Sequence, residues 1–125
     1  MFNAEYLLFC AGKAVDENAN LSLHGIFDRL YAASFPVQHR PFKAVFKLTA
    51  VKPVIDTVVN LKISLNLNDK QMATFEGQVN ATVEQGNALV PDVDLSEFVF
   101  PSAGNYTVTL HVNDKKLIER QLLVA

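Results

Sequence analysis

An all-β fold, a two-sheet antiparallel sandwich of seven to nine strands, is what this sequence predicts, and three observations carry the prediction. Tyr106, Val108, Leu110 and Val112 alternate with Asn105, Thr107, Thr109 and His111. Val59, Leu61, Ile63, Leu65 and Leu67 alternate in the same way with Asn60, Lys62, Ser64 and Asn66. Period two of this regularity means one buried face and one wet face. Turn-forming clusters separate many short apolar runs, and no segment makes a convincing helix.

The totals agree. A chain of 125 residues is about one domain, taken here as 1–125. A domain of that size buries roughly two-thirds of its unfolded surface and needs no staples. Half of the residues are hydrophobic and 19% charged, a globular balance rather than a disordered one. The formal charge of −2 gives no large field for nucleic acid or anionic lipid. Cys10 is the single cysteine, so no internal disulfide forms, which suits a reducing compartment. The run Met1–Cys10 has no basic residue ahead of it, and no apolar stretch approaches the ~20 residues that span a bilayer. A soluble cytoplasmic protein with no membrane partner is the expectation.

Taken in order, Ala4–Val15 is the first strand, apolar on both faces and so expected to be central and covered. A helix is its rival, but the segment lacks a cap and ends in the turn cluster Asp16–Asn20. Leu21–Phe27 returns, with Gly25 marking a bulge or a close backbone approach. Asp28–Ser34 reads either as one helical turn capped by Asp28 or as a kinked continuation of the strand. Phe35–Pro41, with two prolines, is a loop or edge segment. Phe42–Val51 is a strand with Phe42, Ala44, Phe46 and Leu48 facing in and Lys43, Lys47 and Thr49 facing out, Val45 among them. Thr57–Leu67 follows, then a turn at Asn68-Asp69. Met72–Glu76 is a short strand broken by Gly77, and Gln78–Glu84 alternates again. After the turn at Gln85–Asn87, Pro91 argues against a central strand in Ala88–Asp94. Leu95–Phe100 enters a corner and Asn105–Asn113 leaves it. Asn113-Asp114 turns the chain, and Lys116–Val124 closes as a hairpin partner, its charges suiting an edge strand.

The corner Ser102-Ala-Gly-Asn-Tyr-Thr-Val108 resembles the Asp-x-Gly-x-Tyr-x-Cys segment of immunoglobulin-like sandwiches. The resemblance implies an immunoglobulin-like architecture, with Gly104 supplying the turn, Tyr106 plugging the corner by a hydroxyl bond to backbone upstream, and Val108 in place of the disulfide cysteine. Ser102 stands where Asp is usual, and no tryptophan is present. Function does not follow from that likeness. Cys10, Leu23-His-Gly-Ile-Phe-Asp28, Phe35-Pro36 and the corner together resemble a family of small bacterial proteins of unknown function. That wider resemblance implies a bacterial, cytoplasmic origin and no mechanism.

Site chemistry is sparse. His24, His39 and His111 lack zinc-motif spacing; His24 and His111 could meet across strands, but both fall opposite the apolar phase. Asp92, Asp94 and Glu97 form an acidic cluster of the kind that binds Ca²⁺ only when other oxygens converge on it; a solvated loop is the plainer reading. Asp16, Glu17 and Asn18 read the same way. Cys10 has no activating cation beside it in sequence. No Gly-x-Ser-x-Gly elbow or phosphate-cradling glycine loop occurs. Lysines interleave with aromatics at Phe42–Lys47, but the phenylalanines share the apolar phase and read as core. No catalytic residue, metal or cofactor is therefore expected, and no nucleic-acid partner. The candidate partner surface is Phe35, Pro36, His39, Arg40 and Pro41, a semi-rigid amphipathic loop. Against it stands the reading that Phe35 and Phe42 simply cover the open end of the core. The expected function is a non-catalytic interaction or structural module, acting on a protein partner or on itself through an edge strand or sheet face. A small-ligand or Ca²⁺ binder using the end loops is the alternative, and an enzyme with a scattered site the third reading.

Overall fold

The computed structural model describes residues 1–18 and 20–125; Ala19, within the expected turn Asp16–Asn20, lies outside the described residues. All regular elements among the described residues are strands. They are β1 (Phe2–Cys10), β2 (Gly12–Val15), β3 (Leu21–His24), β4 (Arg29–Leu30), β5 (Val37–Gln38), β6 (Lys43–Ala50) and β7 (Val54–Leu67). Then come β8 (Lys70–Val83), β9 (Ala88–Leu89), β10 (Asp92–Asp94), β11 (Val99–Phe100), β12 (Gly104–Val112) and β13 (Lys115–Val124). The fold is all-β. Bends and prolines cut the short segments apart, so they outnumber the seven to nine strands expected from the sequence.

Two larger sheets organise the molecule. One runs β1-β6-β10, with β9 also paired to β6; the other runs β4-β13-β12-β7-β8. The ladders are antiparallel except that of β13 with β4. The inward rows of both sheets join one apolar core: Phe9, Phe46 and Leu48 from the first, and Leu61, Ile63, Leu65, Val108, Leu110 and Leu122 from the second. Arg120 faces the same way as Leu122 and reaches the Leu7 carbonyl of β1 at 3.3 Å, which bridges the two sheets at their margin.

Turn chemistry sets the register of the long hairpins. Asn68-Asp69 and Asn113-Asp114 all take positive φ, between 49° and 67°, as two-residue hairpin loops whose twist matches the strands require. Asn113 adds side-chain insurance: its Oδ1 accepts the Asn60 N–H at 2.9 Å. At the corner, Tyr106 is fully buried and its hydroxyl donates to the Ser102 carbonyl at 2.7 Å. Tyr106→Phe should keep the packing and lower the unfolding free energy by about 1 kcal/mol. The denaturant midpoint reads that loss, and an unchanged midpoint would mean that the buried hydroxyl contributes nothing net.

Several local expectations are corrected. The first strand breaks at Ala11, and β1 is not central: among the described residues its one ladder is with β6, and beyond it Phe9 makes an isolated bridge to Phe27. Gly77 does not interrupt β8, because it pairs with Leu61 inside one continuous 14-residue strand. Leu95–Phe100 is regular only at β11, with a turn at Ser96-Glu97. Asp28–Ser34 contains no helix; Arg29 and Leu30 lie parallel to Leu123 and Val124. Thr109 is buried although its row was expected to be wet, because β12 is flanked on both sides and Thr109 sits opposite Ser64, also buried. Val45 is buried despite its outward phase, in the middle strand of its sheet between Leu8 and Asp92.

Candidate functional site

Gly25 begins the site. Its φ of +63° turns the chain sharply after β3, and the Ala11 N–H meets the His24 carbonyl at 2.9 Å and the Gly25 carbonyl at 3.2 Å. The next residues stay extended because two strands hold them. Phe27 N–H donates to the Phe9 carbonyl at 2.9 Å, Leu123 N–H to Asp28 at 3.2 Å, and Ala125 N–H to Leu30 at 2.9 Å. Facing this segment is the loop His39–Pro41. The His39 ring lies 5.5 Å from both Phe27 and Phe42, and Phe27 lies 5.6 Å from Phe42, forming an aromatic triangle. His39 Nδ1 donates to the Arg40 carbonyl at 2.8 Å, which fixes the ring and leaves Nε2 free.

Between the two segments is a cleft of about 590 Å³, bounded by Gly25, Phe27, Arg29 and Tyr31 on one side and His39, Arg40 and Pro41 on the other. Among the described residues, no carboxylate lines it. Arg29 and Arg40 are exposed, and hydrogen bonding with the Tyr31 hydroxyl raises the Arg29 guanidinium above its ordinary range. Tyr31 is 73% exposed, an aromatic ring held largely in water beside a cation. The arrangement offers apolar walls with two fork-shaped cations, the chemistry for holding a carboxylate or phosphate beside an apolar group.

The structure divides the loop singled out by sequence. His39, Arg40 and Pro41 line the cleft; Phe35 packs against the core, and Pro36 is exposed outside the cleft lining. Sequence reasoning missed Phe27, Arg29 and Tyr31. Their spacing of two was the available signal, since it places three side chains on one face of an extended segment. That signal is ambiguous locally, because the residues of Asp28–Ser34 suit a capped helical turn as well as a strand.

Other candidates are placed elsewhere. His24 pairs with Gly12, whereas His111 pairs with Lys62 and Lys116, so these two histidines do not meet across strands. Among the described residues, no three His, Cys, Asp or Glu side chains converge as metal ligands would. Asp92 pairs with Lys13 at 2.8 Å. Asp94 accepts from the Ser96 hydroxyl and N–H, bonds that hold its carboxyl below the usual range. Burial pushes the Cys10 thiol up. Phe42 and Phe46 are core. Lys47 is tied to Glu5 at 2.9 Å. His111 lies between two polar depressions of about 350 and 400 Å³ on the outer face of the five-stranded sheet. Burial first, then Lys62 and Lys116, depress its pKa, which favours the neutral ring.

The structure is thus that of an all-β protein with a cleft beside one end of its five-stranded sheet. The chain belongs to the family described as "Family of unknown function (DUF6941)", whose model matches residues 5–125. A search of curated proteins found no match.

Proposed function

We propose that this protein is a non-catalytic interaction module that clasps an acidic, apolar-bearing segment of a partner protein in the cleft between Gly25–Tyr31 and His39–Pro41. The observation that carries this reading is the pairing of Arg29 and Arg40 with an aromatic wall in a cleft that, among the described residues, no carboxylate lines. Two arginines donate to carboxylates in bidentate geometry, and Phe27, Tyr31 and His39 bury an apolar neighbour. A second reading, a small anionic ligand, is favoured by the size of the cleft, about 590 Å³, within the range of small-molecule sites.

An immunoglobulin-like frame accompanies this proposal. The orders β1-β6-β10 and β13-β12-β7-β8 parallel the A-B-E and G-F-C-C′ sheets of that fold, and Tyr106 stands near the start of the strand equivalent to F. A reducing, cytoplasmic setting in a bacterium suits the single buried Cys10.

Fluorescence anisotropy with two labelled peptides tests the proposal, one alternating Glu and Phe and the other Lys and Phe. The acidic peptide should bind and the basic one should not. Arg29→Glu and Arg40→Glu should each weaken binding about tenfold with the denaturant midpoint unchanged. Failure of the acidic peptide to bind, or binding indifferent to both substitutions, overturns the partner reading. A melting temperature raised by benzoate or phenyl phosphate, with no peptide binding, favours the small ligand.

A further inference from the structure

The five-stranded sheet ends on β8, and among the described residues the only ladder of β8 is with β7. Asn113 N–H donates to the Asn60 carbonyl at 2.9 Å, so Asn60 turns its backbone toward β12. Gln78, opposite Asn60, therefore turns its own N–H and C=O away from β7, and alternation extends this to Thr74, Glu76, Asn80 and Thr82. Edge strands are ordinarily defended by charge or proline. Between Gln71 and Val83 this one has no proline and a single charge, Glu76. Its inward row, Phe75 and Val79, is only half-buried in one copy of the chain.

We propose that two copies of this chain pair antiparallel through their β8 edges, about a two-fold axis at Gly77, to join two five-stranded sheets into one. The axis must stand perpendicular to the sheet, so residues of like phase face each other and the axis falls on a residue. At Glu76 it would oppose two carboxylates. At Gly77 it sets Glu76 opposite Gln78, Thr74 opposite Asn80 and Phe75 opposite Val79, each pair twice. Phe75–Val79 is then a non-hydrogen-bonded pair, in which side chains lie closest, and an aromatic against a β-branched residue is a favourable cross-strand match. The complementarity of the strand with its own reverse is what selects a second copy as the occupant. The cleft borders β4, at the opposite end of the same sheet, so self-pairing leaves both clefts open and is independent of the function proposed above.

Sedimentation velocity on the full chain over a range of concentrations should show a reversible dimer. Gln78→Glu places a second carboxylate opposite Glu76 at two symmetric positions and should weaken the dimer about tenfold. Gln78→Lys, facing the same Glu76, should dimerise at least as tightly as the natural protein. Gly77→Cys should form a disulfide-linked dimer under mild oxidation; a Cβ there meets nothing within 4 Å, and the buried Cys10 does not compete. A monomer at every concentration, equal effects of the two Gln78 substitutions, or no disulfide at position 77 overturns the proposal.

Discussion

Phe100→Ala is expected to lower the unfolding free energy by about 3–5 kcal/mol. Phe100 is fully buried, and its ring centroid lies 4.7 Å from Phe98, 5.2 Å from Tyr106 and 6.3 Å from Phe42. Alanine would leave a cavity bounded by three rings that are themselves held elsewhere. Phe42 is fixed by its neighbours Phe27 and His39, and Tyr106 by its hydroxyl bond to Ser102. They have little freedom to collapse inward, which puts the cost in the upper part of the range for large-to-small substitutions. For a domain of ordinary stability that is a large share of the total. Val99→Ala is the control, because Val99 is 46% exposed on the same short strand and should change stability by less than about 0.5 kcal/mol. Urea denaturation of both variants checks the pair. A Phe100→Ala loss under about 1 kcal/mol would mean that the aromatic cluster closes over the gap.

The second large effect belongs to Gly25→Val, expected to cost about 2 kcal/mol. At a φ of +63° an L side chain is strained, and a β-branched one more so. A Cβ at this position also comes within 3.1 Å of the Ala11 Cβ, and Ala11 is held by its bonds to His24 and Gly25. Relief requires the turn to open, which moves Phe27 and Arg29 relative to His39 and Arg40. Affinity for the acidic peptide should therefore fall together with the denaturant midpoint. Loss of stability with undiminished peptide binding would separate the turn from the cleft.

Much of the fold was legible because strand alternation is a local signal. Val59–Leu65 and Tyr106–Val112 present buried rows in the phase their sequence indicates, with Leu67 half-buried at the end of the first. The hairpin turns were legible too, since Asn-Asp pairs tolerate the positive φ that both loops adopt. Gly77 misled because a glycine inside a strand pattern usually weakens it, whereas here the ladder to β7 carries the strand through. Of the cleft, only His39, Arg40 and Pro41 were visible, through the prolines that mark their loop. Arg29 and Tyr31 stayed hidden because the parallel contact that keeps their segment extended comes from Leu123 and Val124, at the far end of the chain, and Phe27 because the bridge that places it comes from Phe9.

By itself, then, the sequence determined the secondary-structure class, the faces of the long strands, and the turns of the two long hairpins. These follow from side-chain period and backbone sterics, which act over a few residues. Only the tertiary structure decided that β1 lies at a sheet margin, that Thr109 is buried, and that Arg29 and Arg40 share one cleft. Each depends on which distant strands become neighbours. That choice is made by the summed burial of the common core, and no short segment carries it.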